Sequence, residues 1–359
     1  MIKRRKTVNF RLGNIGIGSN YPVSIQSMTN TDTRDINTTL KQINKLAENG
    51  CEIIRVAVPD EKAALSLKDI CSQSPVPVVA DIHFDYRLAI KSLENGVNGL
   101  RINPGNIGNE LKIKEVVKAA LFYDVPIRIG VNSGSLEKDL LEKYQGVTVE
   151  ALVESALRHV SLLEKYNFEK IKISLKASYV PLMIEAYRNI AQKVPYPLHL
   201  GVTEAGIEKH GIIKSAIGIG ALLAEGIGDT IRVSLTGDPV KEIPVAFQIL
   251  STLGMRKQGV EIISCPTCGR CQIDIDKLVN EVDKSTLDLK QPLKLAIMGC
   301  VVNGPGEARE ADIGIAGGKG QGLIFKKGKI IAKVDEDQLL PALLKEIEKI
   351  RRSDIDEND

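Results

Sequence analysis

The sequence predicts an α/β barrel of the TIM type over residues 1–255, followed by a smaller α+β domain over residues 260–359. Three observations carry this. A strand-then-helix unit recurs eight times before residue 255, Gly254–Val260 has the composition of a linker, and the pattern beyond it changes. The eight β-branched runs are Val23–Met28, Glu52–Val58, Val76–Ile82, Gly99–Pro104, Pro126–Val131, Lys170–Ala177, Pro197–Thr203 and Thr230–Thr236. Between them lie amphipathic stretches, such as Ile36, Leu40, Ile43 and Leu46 with Gly50 just beyond, and Ala63–Cys71, Leu111–Phe122, Val149–Lys165 and Val240–Leu253. Eight regular units favour a closed barrel over an open doubly wound sheet. After the linker the expected order is strand (Glu261–Ser264), helix (Asp274–Asp283), strands at Leu293–Met298, Asp312–Ala316 and Leu323–Ile331, and a terminal helix at Glu336–Arg351.

Composition narrows the function. Hydrophobic residues make up 43% and charged residues 26%, the balance of a soluble globular chain. A net charge of +3 is too small to argue for a nucleic-acid or membrane partner. With no Trp, six Phe and eight Tyr, a base-stacking platform is not expected either. The basic start Met-Ile-Lys-Arg-Arg-Lys is not followed by an apolar run, and no stretch is long enough to span a bilayer, so a cytoplasmic location is expected.

Buried parallel strands should read as continuous apolar runs, and several of these do not. Arg101 and Asn103 alternate with Leu100 and Ile102, and Arg128 and Asn132 alternate with Ile127, Ile129 and Val131. Lys172, Ser174 and Lys176 alternate with Ile171, Ile173 and Leu175, and Arg232 and Ser234 with Ile231, Val233 and Leu235. Arg55, His83 and His199 occupy comparable places. Period two sends each polar set to one face, and since the apolar set must meet the helices, the polar set faces the lumen. Most members lie toward the C-terminal strand ends, where barrel active sites are built. Buried cations need anions; Asp81 and Glu204 supply two, and the surplus implies an anionic ligand such as phosphate or diphosphate. The competing reading is a salt-bridge network that only fills the barrel. Lys172 reads as a base-of-strand residue, and His159 and His210 as surface or helix residues. Asn103–Gly108 and Asn132–Glu137 are strand-end loops whose N–H groups suit a phosphate oxygen or an ordinary turn equally well.

Cysteines stand at 51, 71, 265, 268, 271 and 300, the last four within 36 residues. Cys51 and Cys71 read as small core residues. In the Cys265-Pro-Thr-Cys268-Gly-Arg-Cys271 run with Cys300 downstream, the spacing is compatible with iron–sulfur ligation, zinc, or dithiol chemistry. Glu307 is a candidate oxygen ligand that would leave an exchangeable iron.

Seven motifs then stand in order: Ile25-Gln-Ser-Met-Thr-Asn-Thr, Val79-Ala-Asp-Ile-His-Phe, Arg101-Ile-Asn-Pro-Gly-Asn, Gly130-Val-Asn-Ser-Gly-Ser-Leu, Gly201-Val-Thr-Glu-Ala-Gly, Cys265-Pro-Thr-Cys-Gly-Arg and Met298-Gly-Cys-Val-Val-Asn-Gly-Pro-Gly-Glu-Ala. Over essentially its whole length the chain resembles the bacterial 4-hydroxy-3-methylbut-2-enyl diphosphate synthase family of the non-mevalonate isoprenoid route. The resemblance implies a TIM barrel followed by an iron–sulfur domain, and a reductive dehydration that opens 2-C-methyl-D-erythritol 2,4-cyclodiphosphate with two electrons. It implies a 4Fe-4S cluster on Cys265, Cys268, Cys300 and Glu307, fed by flavodoxin or ferredoxin. It implies diphosphate contacts from Arg55, His83, Arg101, Arg128, Asn132, Lys176 and Ser234, to which strand parity adds Arg232. It implies Glu204 near the reacting carbons, with Asp81 as its acid/base partner. A homodimer is implied, one subunit's cluster domain closing over the other's barrel. Cys271 departs from the family pattern and is expected to be silent. Two rivals remain: a zinc-stabilised barrel with Lys176 as Schiff-base lysine, and a non-catalytic iron–sulfur sensor or RNA-binding protein.

Overall fold

A computed structural model describes residues 2–257, 259–286, 289, 291–300 and 310–356. The chain divides into two compact units, Met1–Arg256 and Lys257–Asp359.

The first unit is a parallel barrel preceded by a hairpin. The hairpin pairs β1 (Phe10–Leu12) with β2 (Ile15–Ile17). The barrel strands are β3 (Ser24–Met28), β4 (Ile53–Ala57), β5 (Val78–Ile82), β6 (Gly99–Ile102), β7 (Ile127–Asn132), β8 (Ile171–Lys176), β9 (His199–Leu200) and β10 (Thr230–Ile231). Seven of the eight sequence runs contain one of them whole, and β7 runs one residue past Pro126–Val131. Their order is β8-β7-β6-β5-β4-β3-β10-β9, and a parallel bridge from Ile173 to Leu198 joins the two ends of the row. The intervening helices bury the periodic face the sequence displays: in Ile36–Glu48, capped by the Asp35 side chain on Thr38 N, the buried residues include Leu40, Ile43 and Leu46.

The hairpin is a feature the periodicity did not reveal. Phe10, Leu12 and Ile17 pack on Ile53 and Val79, residues at the N-terminal ends of β4 and β5, and so close the barrel's lower mouth. Cys51 is buried in the barrel's apolar layer as expected, while Cys71 is half-buried within the helix Glu61–Gln73.

The second unit is a five-stranded sheet in the order β11 (Val260–Ser264), β12 (Leu293–Met298), β13 (Ile313–Gly318), β14 (Gln321–Lys326) and β15 (Lys329–Asp335). β11, β12 and β13 are parallel, and β14 and β15 return antiparallel. Leu295, Ile297, Ile313, Ile315 and Ile324 pack with residues of the helices Ile275–Thr286 and Leu339–Asp356. Ala296, Met298, Ala316 and Phe325 form a smaller cluster on the opposite face. The single strand expected at Leu323–Ile331 is two strands, because Lys327 (φ 47°) and Gly328 (φ 76°) take the left-handed conformations of a two-residue hairpin turn.

Candidate active site and cysteine segment

Strand register turns the alternating charges into a layered lumen. Asp81 pairs with Arg101 across β5 and β6, Arg101 with Arg128 across β6 and β7, and Arg128 with Lys172 across β7 and β8. One row therefore carries one carboxylate and three cations. Two layers nearer the strand ends, above the Gly130–Ser174 pair, Asn132 pairs with Lys176. A cavity of about 220 Å³ opens among Arg55, Asp81, His83, Arg101, Arg128, Asn132, Ser174, Lys176, Thr203, Arg232 and Ser234. All eight residues predicted to bind the diphosphate line it. Of the predicted acid/base pair, Asp81 lines it and Glu204 does not. Glu204 is exposed, follows the lining residue Thr203, and holds φ at 51°, a strained conformation for a non-glycine residue.

Asp81 anchors the pocket. Arg101 Nη1 donates to Asp81 Oδ1 at 3.0 Å, Arg55 Nε lies 3.7 Å from Oδ2, and His83 Nε2 lies 2.8 Å from Arg101 Nη1. Burial alone would raise the Asp81 carboxyl, but Arg55, His83 and Arg101 outweigh it and hold it well below the usual carboxylate range. Asn132 accepts from Arg101 Nη2 at 3.1 Å when its amide oxygen faces that group. Gly130 makes room for Arg101, since a Cβ there would stand 2.5 Å from Arg101 Nε. The remaining cations are strained electrostatically. Burial, reinforced by neighbouring arginines, pulls Lys176 well below the ordinary lysine value. Burial, with Arg55 and Arg101 nearby, does the same to Arg128, and burial brings Arg55 down to about 10.

Sequence reading missed two members of this network. Glu242, at the start of the helix Glu242–Thr252, is buried; it accepts from Ser27 Oγ and from Leu235 N, both at 3.0 Å, and lies 3.6 Å from Arg232 Nε. It supplies the second carboxylate that Glu204 was expected to provide. Met28 is the other: its thioether sulfur accepts from Arg55 Nη2 at 2.8 Å and lies 3.7 Å from Arg232 Nη1. His199 does not join the pocket. It is fully buried on Thr230 Oγ1 at 2.8 Å, and burial beside Arg128 keeps its imidazole neutral. His159 is a helix residue, as expected, and is buried with Nε2 2.7 Å from Glu137 Oε1.

In the second unit, Cys265 ends β11 and Gly299-Cys300 follow β12, its parallel neighbour. Gly299 N–H donates to Cys265 Sγ at 3.2 Å, and Gln272 N–H donates to Gly299 O at 2.9 Å. Gly299 cannot carry a side chain, because a Cβ would stand 2.3 Å from Cys271 Sγ. Cys268 is exposed; Cys265, Cys271 and Cys300 are half-buried. Among the described residues no group of three Cys, His or acidic side chains is already gathered at metal-ligating distance. The donor set nevertheless fits a soft, anionic iron–sulfur group: thiols on adjacent strand ends, one already receiving the backbone N–H donation that stabilises cluster sulfurs. Glu307 lies outside the described residues.

Residues 7–247 match the GcpE TIM-barrel domain, and residues 261–349 match the GcpE protein C-terminal domain. The chain belongs to the GcpE family. It is 65% identical over 351 residues to a protein of Caldanaerobacter subterraneus subsp. tengcongensis, covering 98% of this chain and 99% of that one. It is 61% identical over 349 residues to one of Clostridium perfringens, with coverage of 97% and 100%. Both relatives are named 4-hydroxy-3-methylbut-2-en-1-yl diphosphate synthase (flavodoxin). Among solved structures, a dihydropteroate synthase from Stenotrophomonas maltophilia superposes with a TM-score of 0.50 at 11% identity, over 68% of this chain and 97% of that one. That likeness concerns the barrel fold alone. No helix among the described residues is long and apolar enough to cross a membrane.

Proposed function

We propose that this GcpE-family chain is an iron–sulfur oxidoreductase that converts 2-C-methyl-D-erythritol 2,4-cyclodiphosphate to 4-hydroxy-3-methylbut-2-enyl diphosphate in isoprenoid biosynthesis. Formally, two electrons and two protons enter, the ring C–O bond to phosphate breaks, and one water leaves. The observation that carries the reading is the lumen pocket. Five cationic side chains (Arg55, Arg101, Arg128, Lys176 and Arg232) line 220 Å³ in which Asp81 is the single carboxylate. Such a site is completed by a polyanion.

In this reading Arg55, Arg101, Arg128, Lys176 and Arg232 hold the diphosphate, with His83, Asn132 and Ser234 directing hydrogen bonds to it. Asp81, kept ionised by Arg55 and Arg101, fixes those two guanidinium groups. It serves the acid/base network as a fixed negative charge rather than as a proton source. Glu204, on the strained loop beside Thr203, is the carboxylate assigned to the reacting carbons. The strain at that position supports a functional role for it. Cys265, Cys268 and Cys300, with Glu307, would hold a 4Fe-4S cluster, which supplies single electrons when bound. Flavodoxin or ferredoxin serves as electron donor, and the enzyme works as a homodimer in the cytoplasm. The exposed apolar residues Phe84 and Tyr179, which follow β5 and β8, suit a mouth that is covered during turnover.

Anaerobic reconstitution with iron and sulfide, then turnover of the cyclic diphosphate with a chemical reductant, tests the proposal. A brown protein that forms the linear diphosphate is expected. A colourless protein holding stoichiometric zinc after oxygen-free purification would overturn it.

A further inference from the structure

Below the diphosphate pocket the barrel holds a second, smaller cavity of about 10 Å³, lined among others by Leu12, Gln26, Val79, Arg128 and Lys172. Its volume is about one water-sized sphere, so a guest slightly larger than water enters only if the flexible ends of Lys172 and Gln26 give way a little. The N-terminal hairpin bounds it, through Leu12, and the upper pocket shares Arg128 with it.

The polar groups around it are fully buried and unpartnered. Lys172 Nζ, Arg128 Nε and Nη1, and both amide atoms of Gln26 have no hydrogen-bond partner, while Gln26, Arg128 and Lys172 are each 2–3% exposed. Unpaired buried polar atoms cost about 1–3 kcal/mol each, and charged ones more, so five at one spot point to a missing guest. The charges say which kind. Arg128 and Lys172 are direct cross-strand neighbours, and no carboxylate lines the cavity. The row's one carboxylate, Asp81, is engaged by Arg55 and Arg101. Asp229, the acid that acts on Lys172 from below, is held by Arg4 at 2.6 Å and also accepts from Thr7 Oγ1 and Leu198 N. Donors outnumber acceptors, with Gln26 Oε1 the single acceptor among the five atoms.

We propose that this lower cavity binds a monoatomic monovalent anion of chloride size, held by Lys172, Arg128 and the Gln26 amide N–H. The site lies below the diphosphate pocket, shares Arg128 with it, and does not depend on the reaction assigned there. It accounts for a row of like charges that neither Asp81 nor the substrate neutralises. Without an anion, burial beside Arg128 would bring Lys172 down to about 7, leaving much of it deprotonated at neutral pH. The rival guest is therefore a water beside a neutral lysine.

Crystals of the full chain grown in sodium bromide, with data collected at the bromine edge, distinguish the two. An anomalous peak between Lys172 and Arg128 is expected; water density without a peak overturns the proposal. In parallel, thermal melts compare sodium chloride with sodium methanesulfonate, too large for the cavity, at matched ionic strength. Chloride should raise Tm by about 2 °C or more in the wild type. Lys172→Met should lose both the peak and the chloride response. A bromide peak with equal Tm values in the two salts would mark an adventitious ion only and would also overturn it. Should Lys172→Met fail to fold, the wild-type measurements decide the matter alone.

Discussion

Replacing Asp81 by Asn tests the electrostatic design of the barrel most directly. Asp81, Arg101 and Arg55 have side chains only 7%, 5% and 12% exposed, so solvent screens them little. At an effective dielectric of about 20, the attraction is about 5 kcal/mol for Arg101 at 3.0 Å and about 4 kcal/mol for Arg55 at 3.7 Å. Desolvation offsets most of that gross attraction. Neutralising one partner of a buried pair nevertheless costs about 3–5 kcal/mol, because the other charges stay buried. For a barrel of this size the expected loss is about 10 °C in Tm. Inorganic diphosphate should then stabilise Asp81→Asn more than it stabilises the wild type, since the variant pocket carries one more uncompensated charge. The pH dependence has a definite sign. Because the folded-state pKa is depressed, Asp81 contributes its full stability above the unfolded carboxyl pKa of about 4 and loses it as pH falls further. The gap between variant and wild type should therefore be constant from neutral pH down to about 5 and narrow below about 4. Circular dichroism melts across pH, with and without diphosphate, measure each part. A Tm change under about 1 °C, or equal diphosphate stabilisation of both proteins, would refute Asp81 as the pocket's counter-ion.

Three further outcomes follow. Cys265→Ser, Cys268→Ser and Cys300→Ser should each lose both bound iron after anaerobic reconstitution and turnover, whereas Cys271→Ser, whose Sγ donates to Ile273 O at 3.2 Å, should keep most of both; equal losses from all four would make Cys271 a ligand. Glu242→Gln should loosen Arg232 without touching the reacting atoms, raising KM for the cyclic diphosphate by about tenfold with a much smaller change in kcat; steady-state kinetics separate the two. Because burial and four neighbouring arginines hold Lys176 low, an arriving polyanion should restore its proton. Calorimetric titration with inorganic diphosphate near neutral pH should therefore show heats that depend on buffer ionisation enthalpy, a dependence weakened in Lys176→Met.

How much was legible in the sequence depended on how local each signal was. The barrel strands were readable because each couples a β-branched run to a following amphipathic helix, and the lumen residues because period two places Arg101, Arg128, Lys172 and Lys176 opposite the apolar set. The hairpin at Phe10–Leu12 and Ile15–Ile17 was not, since two three-residue strands are too short to display a period. The turn within Leu323–Ile331 was marked by the polar run Lys326-Lys327-Gly328-Lys329, but the apolar residues beyond it, Leu323–Phe325 and Ile330–Ile331, read as one continuous strand. Glu242 was illegible for another reason. A glutamate in the first turn of a helix ordinarily reads as a solvated charge favoured by the helix dipole, and only the tertiary fold turns it onto Ser27 and Arg232. Glu204 is the opposite case: its motif is plain in the sequence, and the structure puts it next to Thr203, just past the residues that line the pocket.

The distribution of charge within the lumen also favours a binding site over a structural network. A network that merely fills a barrel brings its charges close to balance, because each unpaired buried ion is costly. Here the carboxylates Asp81 and Glu242 lie within 4 Å of Arg55, Arg101 and Arg232, whereas among the described residues no carboxylate forms an ion pair with Arg128, Lys172 or Lys176, and Asp229, which acts on Lys172 from a distance, is already held by Arg4. Those three are also the groups that burial pulls furthest from their ordinary values or close to neutrality. They lie on β7 and β8, one side of the barrel, at different heights: Lys176 above in the larger pocket, Lys172 below in the smaller one, with Arg128 bordering both. A single polyanion in the upper pocket can satisfy Lys176 and part of Arg128 but cannot reach past Arg128 to Lys172. On the two proposals made above, an exchangeable anion in the upper pocket and a small resident one below would together complete what the chain's own carboxylates leave open.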